Sequence, residues 1–384
     1  MAFPALTTTQ ISLDTPTLED PAKKMPSWTN TPSGTMAASV LSAFSKPKPS
    51  DCFTYVTDYP RPSLPSKDWV LVRVHAAGLN RAELRARNQE HVSKLEFGMF
   101  IDEFHENHPK IIGEEFVGEI AEAGTDSGYK VGDAVCAWAY GGGKAYDGAY
   151  AEYTICHKKR IWPLPDSAKQ IPWDVLGAVP MGLWTAYGSI FHAGQTKPGD
   201  TVFIHGATSS VGIWGILVSK NVGCTVIAST RQESKIQKLK DAGADHVVLE
   251  KDLLADPGLI KKLVPGGANT VLEIVGLGML KPIAFPACAM YGTVVSMGIL
   301  GKVWSIPNFN ASFVPTTRKL TTYTTLDEDY EPAKKVLADT VEKILSGQYK
   351  KEQFLDSVYD LKDVGKAHER MEANEATGKI VLRC

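Results

Sequence analysis

The chain has 384 residues, 43 % of them hydrophobic and 22 % charged, with a formal net charge of −2. That is enough for two domains with substantial cores, and the near-neutral balance lacks the excess of basic residues that a nucleic-acid binder carries. No apolar run approaches the roughly 20 residues of a membrane span, and six scattered cysteines without a C-x-x-C pair read as the reduced thiols of a cytosolic protein.

Residues 1–34 are rich in Thr, Ser and Pro and show no apolar period, so they read as a disordered tail or an arm laid over the surface. A cationic start and an apolar stretch are both missing, which argues against a signal peptide. Asp14, Glu19 and Asp20 argue against an acid-poor presequence. From Thr35 the pattern becomes short strands and turns. Strands are predicted at 37–44, 53–56, 69–74, 117–120, 134–138 and 150–155, broken by Gly132-Asp133 and Gly141-Gly142-Gly143, as in a β-rich, barrel-like domain. Between Glu83 and His108 lies a polar, partly helical stretch suited to the rim of a pocket, and 171–193 carries a long helical pattern.

A regular alternation follows. Strand 202–204, helix 211–220, strand 225–228, helix 233–242, strands 246–249 and 270–274, a helix after Gly278 and strand 292–297 predict a doubly wound parallel sheet. Beyond it, 332–346 reads as an amphipathic helix. The strand at 380–382 is expected to return to the first domain and make it discontinuous. The expected division is a β-rich domain from 35–170 and 325–384 around a dinucleotide-binding domain at 171–324.

The ligand of the second domain is read from its first βα turn. The apolar strand turns through Gly206 and Ala207 into a helix opening near Val211 and Gly212, whose free N–H groups and positive dipole end suit a pyrophosphate. Ala207-Thr208-Ser209-Ser210-Val211-Gly212 stands where a strict G-x-G-x-x-G would be. Ala207 keeps the turn, Gly212 keeps the close helix–strand packing, and the Ser209 hydroxyl is expected to donate to the phosphate. An NAD site usually places a carboxylate at the end of the second strand. Ser229, Thr230 and Arg231 stand there instead, with Lys235 a helical turn later, which suits the 2′-phosphate of NADPH.

Seven further segments occur in a consistent order: Ala76-Ala77-Gly78-Leu79-Asn80-Arg81-Ala82-Glu83, Pro109 to Gly118 (PKIIGEEFVG), Tyr129 to Val135 (YKVGDAV), Gly148 to Tyr153 (GAYAEY), Thr185-Ala186-Tyr187-Gly188, Ala367 to Met371 (AHERM) and Thr377 to Val381 (TGKIV). Together they resemble the medium-chain dehydrogenase/reductase superfamily over residues 35–384, and within it the zinc-free quinone-oxidoreductase and enoyl-reductase branch. The resemblance implies a GroES-like β-rich domain joined to a Rossmann domain. Metal-dependent members of the superfamily bind zinc through Cys, His or Glu, and Cys. Here Asn80, Glu114 and Met181 take those positions, leaving no N/S set for tetrahedral zinc. His105 and His108 read as solvated loop residues, so no metal is expected.

Without zinc, a substrate that spreads its developing charge onto a conjugated oxygen is the easier one to reduce, since a few hydrogen-bond donors then suffice. The resemblance therefore implies an NADPH-dependent reductase of a quinone or an α,β-unsaturated carbonyl, working as a homodimer on a small molecule. Two other readings stay open: a carbonyl or imine reductase of a specialised biosynthetic pathway, and a non-catalytic nucleotide-binding or structural protein.

The candidate catalytic set is Asn80, Tyr140 and Thr185. The resemblance places Asn80 beside the nicotinamide, its amide donating to the substrate oxygen or ordering a water; the alternative is an Asn that satisfies a turn. Glu83 caps a helix, pairs with Arg87 or joins the chemistry. Arg85 stands where related quinone reductases often carry Tyr. Tyr140, just before three glycines, is either a phenol delivered into the cleft or a wall of the β domain. Thr185 and Tyr187 lie, by resemblance, under the nicotinamide, with Trp184 as pocket wall or core. Glu273-Ile274-Val275-Gly276 ends the fourth sheet strand, where ligands bind a doubly wound fold. Met297-Gly298-Ile299 looks like the stretch whose backbone holds the carboxamide, and 308–325 like the subunit-edge strand and part of the pocket.

Overall fold

The computed structural model describes residues 34–88, 110–303, 305–307, 309–325 and 330–384. The amino-terminal stretch 1–33, the part of the expected pocket rim from 89 to His108 with His105, and Asn308 lie outside the described residues. The strands, in sequence, are β1 (Thr35–Leu41), β2 (Phe53–Pro60), β3 (Trp69–Gly78), β4 (Glu115–Ala123), β5 (Ala134–Trp138), β6 (Tyr153–His157), β7 (Trp162–Pro163), β8 (Thr201–His205), β9 (Thr225–Thr230), β10 (His246–Leu249), β11 (Ala268–Glu273), β12 (Cys288–Ser296), β13 (Lys319–Thr321), β14 (Leu355–Asp360) and β15 (Lys379–Arg383).

All five residues of β8 are buried, which is what a continuous apolar run gives when helices cover both faces of a parallel sheet. That sheet has six parallel strands in the order β10-β9-β8-β11-β12-β13. Counted from β8 the order is 3-2-1-4-5-6, so its direction reverses between β8 and β11, and the carboxyl ends of these two strands open onto a crevice. The predicted doubly wound sheet is present.

The first half builds a mixed sheet, β14-β15-β3-β4-β5-β7, with β6 also pairing β3; β1 and β2 form a separate antiparallel pair. The strand β15 pairs antiparallel with β3, Val381 opposite Gly78 and Arg383 opposite Ala76. One apolar cluster runs through both sheets, from Val117, Trp138 and Val381 past Leu183 and Trp184 to Ile204 and Val226. Trp138 lies flat on Trp162, with centroids 3.8 Å apart and planes at 9°. The two halves thus meet through packed side chains.

Three local expectations change. The helical pattern at 171–193 is broken into Trp173–Leu176, Pro180–Tyr187 and a wider turn Gly188–Ala193, because Pro180 restarts the helix at its first position. The helix expected at 233–242 begins as the tight turn Glu233–Lys235 and is regular only over Ile236–Asp241. The strand expected at 292–297 starts earlier, at Cys288, and absorbs a register shift against β11 through Tyr291, whose φ of 62° is left-handed.

Candidate functional site

The crevice is lined first by the turn after β8. Gly206 has φ 87°, a conformation glycine adopts freely, and a Cβ there would stand 3.2 Å from Ile274 and 3.3 Å from Val275. A Cβ on Gly212 would fall 2.5 Å from the Cα of buried Ala207, so the helix Ser210–Asn221 packs directly on the turn. Ser209 caps that helix: its Oγ accepts the Gly212 N–H at 3.1 Å and donates to the Gly206 carbonyl at 2.9 Å. The expected hydroxyl donation to a phosphate is therefore corrected, since the Ser209 proton is already committed. The first-turn N–H groups, including Ser210 and Val211, have no intrahelical acceptor and stay open to an anion. Thr208 offers its carbonyl to the Gly378 N–H at 3.0 Å, tying the turn to the start of β15.

The hydroxyls at the end of β9 are also spent. Ser229, buried, turns its Oγ to the Ile204 carbonyl (3.4 Å), and Thr230 accepts the Gln232 N–H at 3.1 Å. Lys235 donates to the carbonyls of Asn374 and Ala376, both at 2.9 Å. Of the four expected donors to a 2′-phosphate, Arg231 alone is exposed and without a hydrogen bond among the described residues.

Beneath the turn lies a group the sequence reading missed. His205 is completely buried at the end of β8, with Nδ1 2.8 Å from Glu273 and Nε2 3.0 Å from Glu250. Burial works against its charge, but the hydrogen bonds to Glu250 and Glu273 outweigh burial and push its pKa up to about 9. The second oxygen of Glu273 accepts the N–H groups of Val275 (2.7 Å) and Gly276 (3.0 Å), and its carbonyl accepts that of Met297 (3.1 Å). Gly298 packs on the Ile274 carbonyl, 2.4 Å from where its Cβ would be. Gly206, Val275, Met297 and Gly298 are thus brought to one edge, organised by His205 and Glu273.

The second wall is the place where the resemblance sets the zinc of metal-dependent relatives. Asn80 follows β3, and its Oδ1 accepts from the Lys379 ammonium at 2.7 Å while its Nδ2 donates to Glu115 at 3.1 Å. Lys379 and Glu115, both buried, also form a direct ion pair. The Met181 N–H donates to the other oxygen of Glu115 at 2.8 Å. The expected donation from the Asn80 amide to a substrate oxygen is corrected: the amide is fixed between an ammonium and a carboxylate. Glu83 bridges the Asn80 N–H (2.8 Å) and the Glu114 N–H (3.0 Å), while Arg87 pairs with Glu372 (2.8 Å) rather than with Glu83. Burial and the nearby Glu114 raise the Glu83 pKa to about 7. Glu114 is itself paired with Lys144 at 2.9 Å.

Tyr140 is a further correction. Its hydroxyl donates to the Gly113 carbonyl at 3.3 Å and lies 3.2 Å from Thr154, with the ring packed edge-on against Phe116 inside the β-rich core. It delivers no phenol into the crevice. Thr185 is buried one turn beyond Met181 on the helix Pro180–Tyr187. Trp184 and Tyr187 stack at 5.8 Å, and a Cβ on Gly188 would strike the ring of Tyr323, so aromatic faces close this side.

These residues fit a dinucleotide, through the glycine turn, the free helix N–H groups and the unpaired Arg231. They do not fit zinc: an ammonium sits among the would-be ligands, and among the described residues no group of three His, Cys, Asp or Glu is arranged for a metal.

Residues 66–166 match the alcohol dehydrogenase GroES-like domain, and residues 210–339 match the zinc-binding dehydrogenase family. The highly-reducing polyketide synthase 1 of Aureobasidium melanogenum is 25 % identical over 337 residues, which is 86 % of this chain but only 14 % of the synthase. The quinone oxidoreductase-like protein 2 of Bos taurus is 26 % identical over 327 residues, 84 % of this chain and 86 % of that protein. Among solved structures, a mycobacterial protein complexed with NADPH superposes with a TM-score of 0.72 at 22 % identity, covering 91 % of this chain and all of the other. The CurK enoyl reductase superposes with 0.70 at 17 % identity, covering 91 % and 99 %. At those identities the structural likeness speaks for the fold.

Proposed function

The chain belongs to the medium-chain dehydrogenase/reductase superfamily, in its quinone-oxidoreductase and enoyl-reductase branch, and from that premise we propose that it reduces a quinone or an α,β-unsaturated carbonyl with NADPH and without zinc. The observation that carries the reading is the filling of the metal position by Asn80, Glu115 and the Lys379 ammonium beside an intact dinucleotide turn. Direct reduction of an isolated ketone asks for a strong electrophile at the oxygen. A conjugated acceptor spreads that charge and asks for less.

Bound NADPH supplies the hydride. The N–H groups of the turn at Gly206–Gly212 would hold its pyrophosphate, Arg231 would take its 2′-phosphate, and Val275, Met297 and Gly298 would line the nicotinamide end of the site. Asn80, fixed by Lys379 and Glu115, would border the substrate, and Thr185 is the candidate hydroxyl for its oxygen. Trp184, Tyr187 and Tyr323 exclude water from the face opposite. In this reading the β-rich unit comprises 35–170 and 325–384 around a cofactor unit at 171–324.

Titration by quenching of the eight tryptophans is expected to show NADPH bound about a hundredfold more tightly than NADH, the ~2–3 kcal/mol of a charge-assisted contact. Arg231→Ala should erase most of that difference; an unchanged ratio would defeat the cofactor assignment. The reaction is tested with chelator-dialysed protein on small quinones, enones, ketones and imines, following NADPH absorbance and product mass. Gain of two hydrogens at the conjugated bond, undiminished by the chelator, is expected. Carbonyl reduction with the alkene intact would favour the carbonyl or imine reductase. Tight NADPH binding without turnover would favour a non-catalytic nucleotide-binding protein, and activity restored only by zinc would sink the metal-free reading.

A further inference from the structure

Two cations from opposite halves of the molecule converge on one residue. Arg81 opens the helix Arg81–Asn88 in the β-rich half, and its Nη2 donates to the Asn374 Oδ1 at 2.7 Å. Lys235, from the parallel-sheet half, donates to the backbone oxygen of the same Asn374 at 2.9 Å. Asn374 stands in a left-handed turn, φ 58°, after the helix Val364–Glu372, and so presents side chain and carbonyl to different neighbours. Arg231 leaves β9 four residues before Lys235.

The charge at this junction is not balanced. Arg81 makes no ion pair among the described residues, and its one hydrogen-bond partner is a neutral amide oxygen. Burial and the positive charge of Arg231 both press its pKa down, and Glu372 opposes them only from a distance, being paired with Arg87. Asp356, the other acid nearby, is held by Arg370 at 2.7 Å and by the Thr377 N–H at 2.8 Å. Burial, Arg370, Arg231 and Lys238 hold Lys235 below its ordinary value against the opposing pull of Asp356. A part-buried guanidinium in the field of another cation, with the nearby acids already engaged, is a costly arrangement unless an anion arrives.

We infer that Arg81 is a second cation for the 2′-phosphate of the bound dinucleotide, reaching across from the β-rich half to the site of Arg231, so that one phosphate monoester is gripped from both sides of the crevice. The inference rests on the NADPH reading above and extends it to a residue outside the Rossmann half. The dianion would neutralise both guanidinium groups, each able to present two N–H donors to phosphate oxygens. Cofactor binding then also joins the two halves.

The test measures affinities of NADPH, NADH, 2′,5′-ADP and 5′-AMP for the full chain and for Arg81→Met, Arg81→Lys, Arg231→Met and Asn374→Ala, by tryptophan quenching and calorimetry. Arg81→Met is expected to weaken NADPH and 2′,5′-ADP about tenfold while leaving NADH and 5′-AMP unchanged, with partial recovery in Arg81→Lys. Asn374→Ala, which removes the neutral partner and keeps the cation, should preserve the discrimination. If Arg81→Met leaves the NADPH/NADH ratio intact while Arg231→Met abolishes it, this inference fails and the NADPH reading survives. If Arg81→Met weakens all four ligands alike, Arg81 is only a strut and the inference also fails. Equal wild-type affinities for NADPH and NADH would overturn the cofactor reading itself.

Discussion

Replacing Lys379 by methionine is expected to destabilise the protein by about 3–5 kcal/mol, the range for removing one partner of a buried ion pair. The side chain is 1 % exposed and Glu115 is fully buried. Methionine preserves the stem that passes over Gly78, where a Cβ would lie 2.4 Å from the Lys379 Cε. It removes the ammonium that faces Glu115 and the Asn80 Oδ1. Glu115 keeps only neutral donors, the Asn80 amide and the Met181 N–H, for a charge held away from water. Urea unfolding at neutral pH measures the loss. The double variant Lys379→Met/Glu115→Gln should recover much of it, because no buried charge is then left alone. A single-variant loss below about 1 kcal/mol would mean that water reaches Glu115 and the network is looser than its distances indicate.

A second large effect is expected from pH. The folded-state pKa of His205, about 9, lies above the ordinary histidine value of 6.5. The unfolded chain therefore loses this proton first as pH rises. The stabilisation is complete below about pH 6.5, falls by about 1.4 kcal/mol per pH unit above it, and is gone beyond about pH 9, a total of about 3 kcal/mol. Glu250 behaves in the opposite sense. Its hydrogen bond to His205 lowers its pKa despite burial, so its contribution is present above pH 4.5 and is lost as the pH falls further. Urea midpoints at pH 6.5, 8 and 9.5 should decline in step, and His205→Gln should flatten that slope. A wild-type midpoint constant over this interval would show that folding gives the imidazole no added affinity for its proton.

The parallel sheet was legible because each strand is a short apolar run closed by a helix, and that periodicity survives without knowledge of the neighbours. The cofactor turn was legible for the same reason: Gly206 and Gly212 sit at positions where backbone geometry admits little else. The site walls were not. Lys379 opens a strand whose next three residues are apolar, and no local pattern says that its ammonium reaches Asn80 and Glu115 from the far end of the chain. His205 finds Glu250 and Glu273 only once β8 and β11 lie side by side. Tyr140 and Ser209 show a different limit. Spacing located both residues, but the direction of a hydroxyl is decided by the nearest unsatisfied carbonyl, here Gly113 for one and Gly206 for the other.

The pairing of β15 with β3 also has a consequence in time. About 300 residues separate these neighbours, so at ~5–20 residues per second the ribosome needs roughly 15–60 s to deliver the partner of a strand it has already made. The parallel sheet, contiguous from β8 to β13, is complete well before then. Throughout the wait β3 presents an open edge at Ala76, Ala77 and Gly78, which is the kind of template that recruits strands from other chains. Nascent chains of this protein are therefore expected to engage holdase chaperones through the β3 segment, and to release them only after residue 383 has emerged.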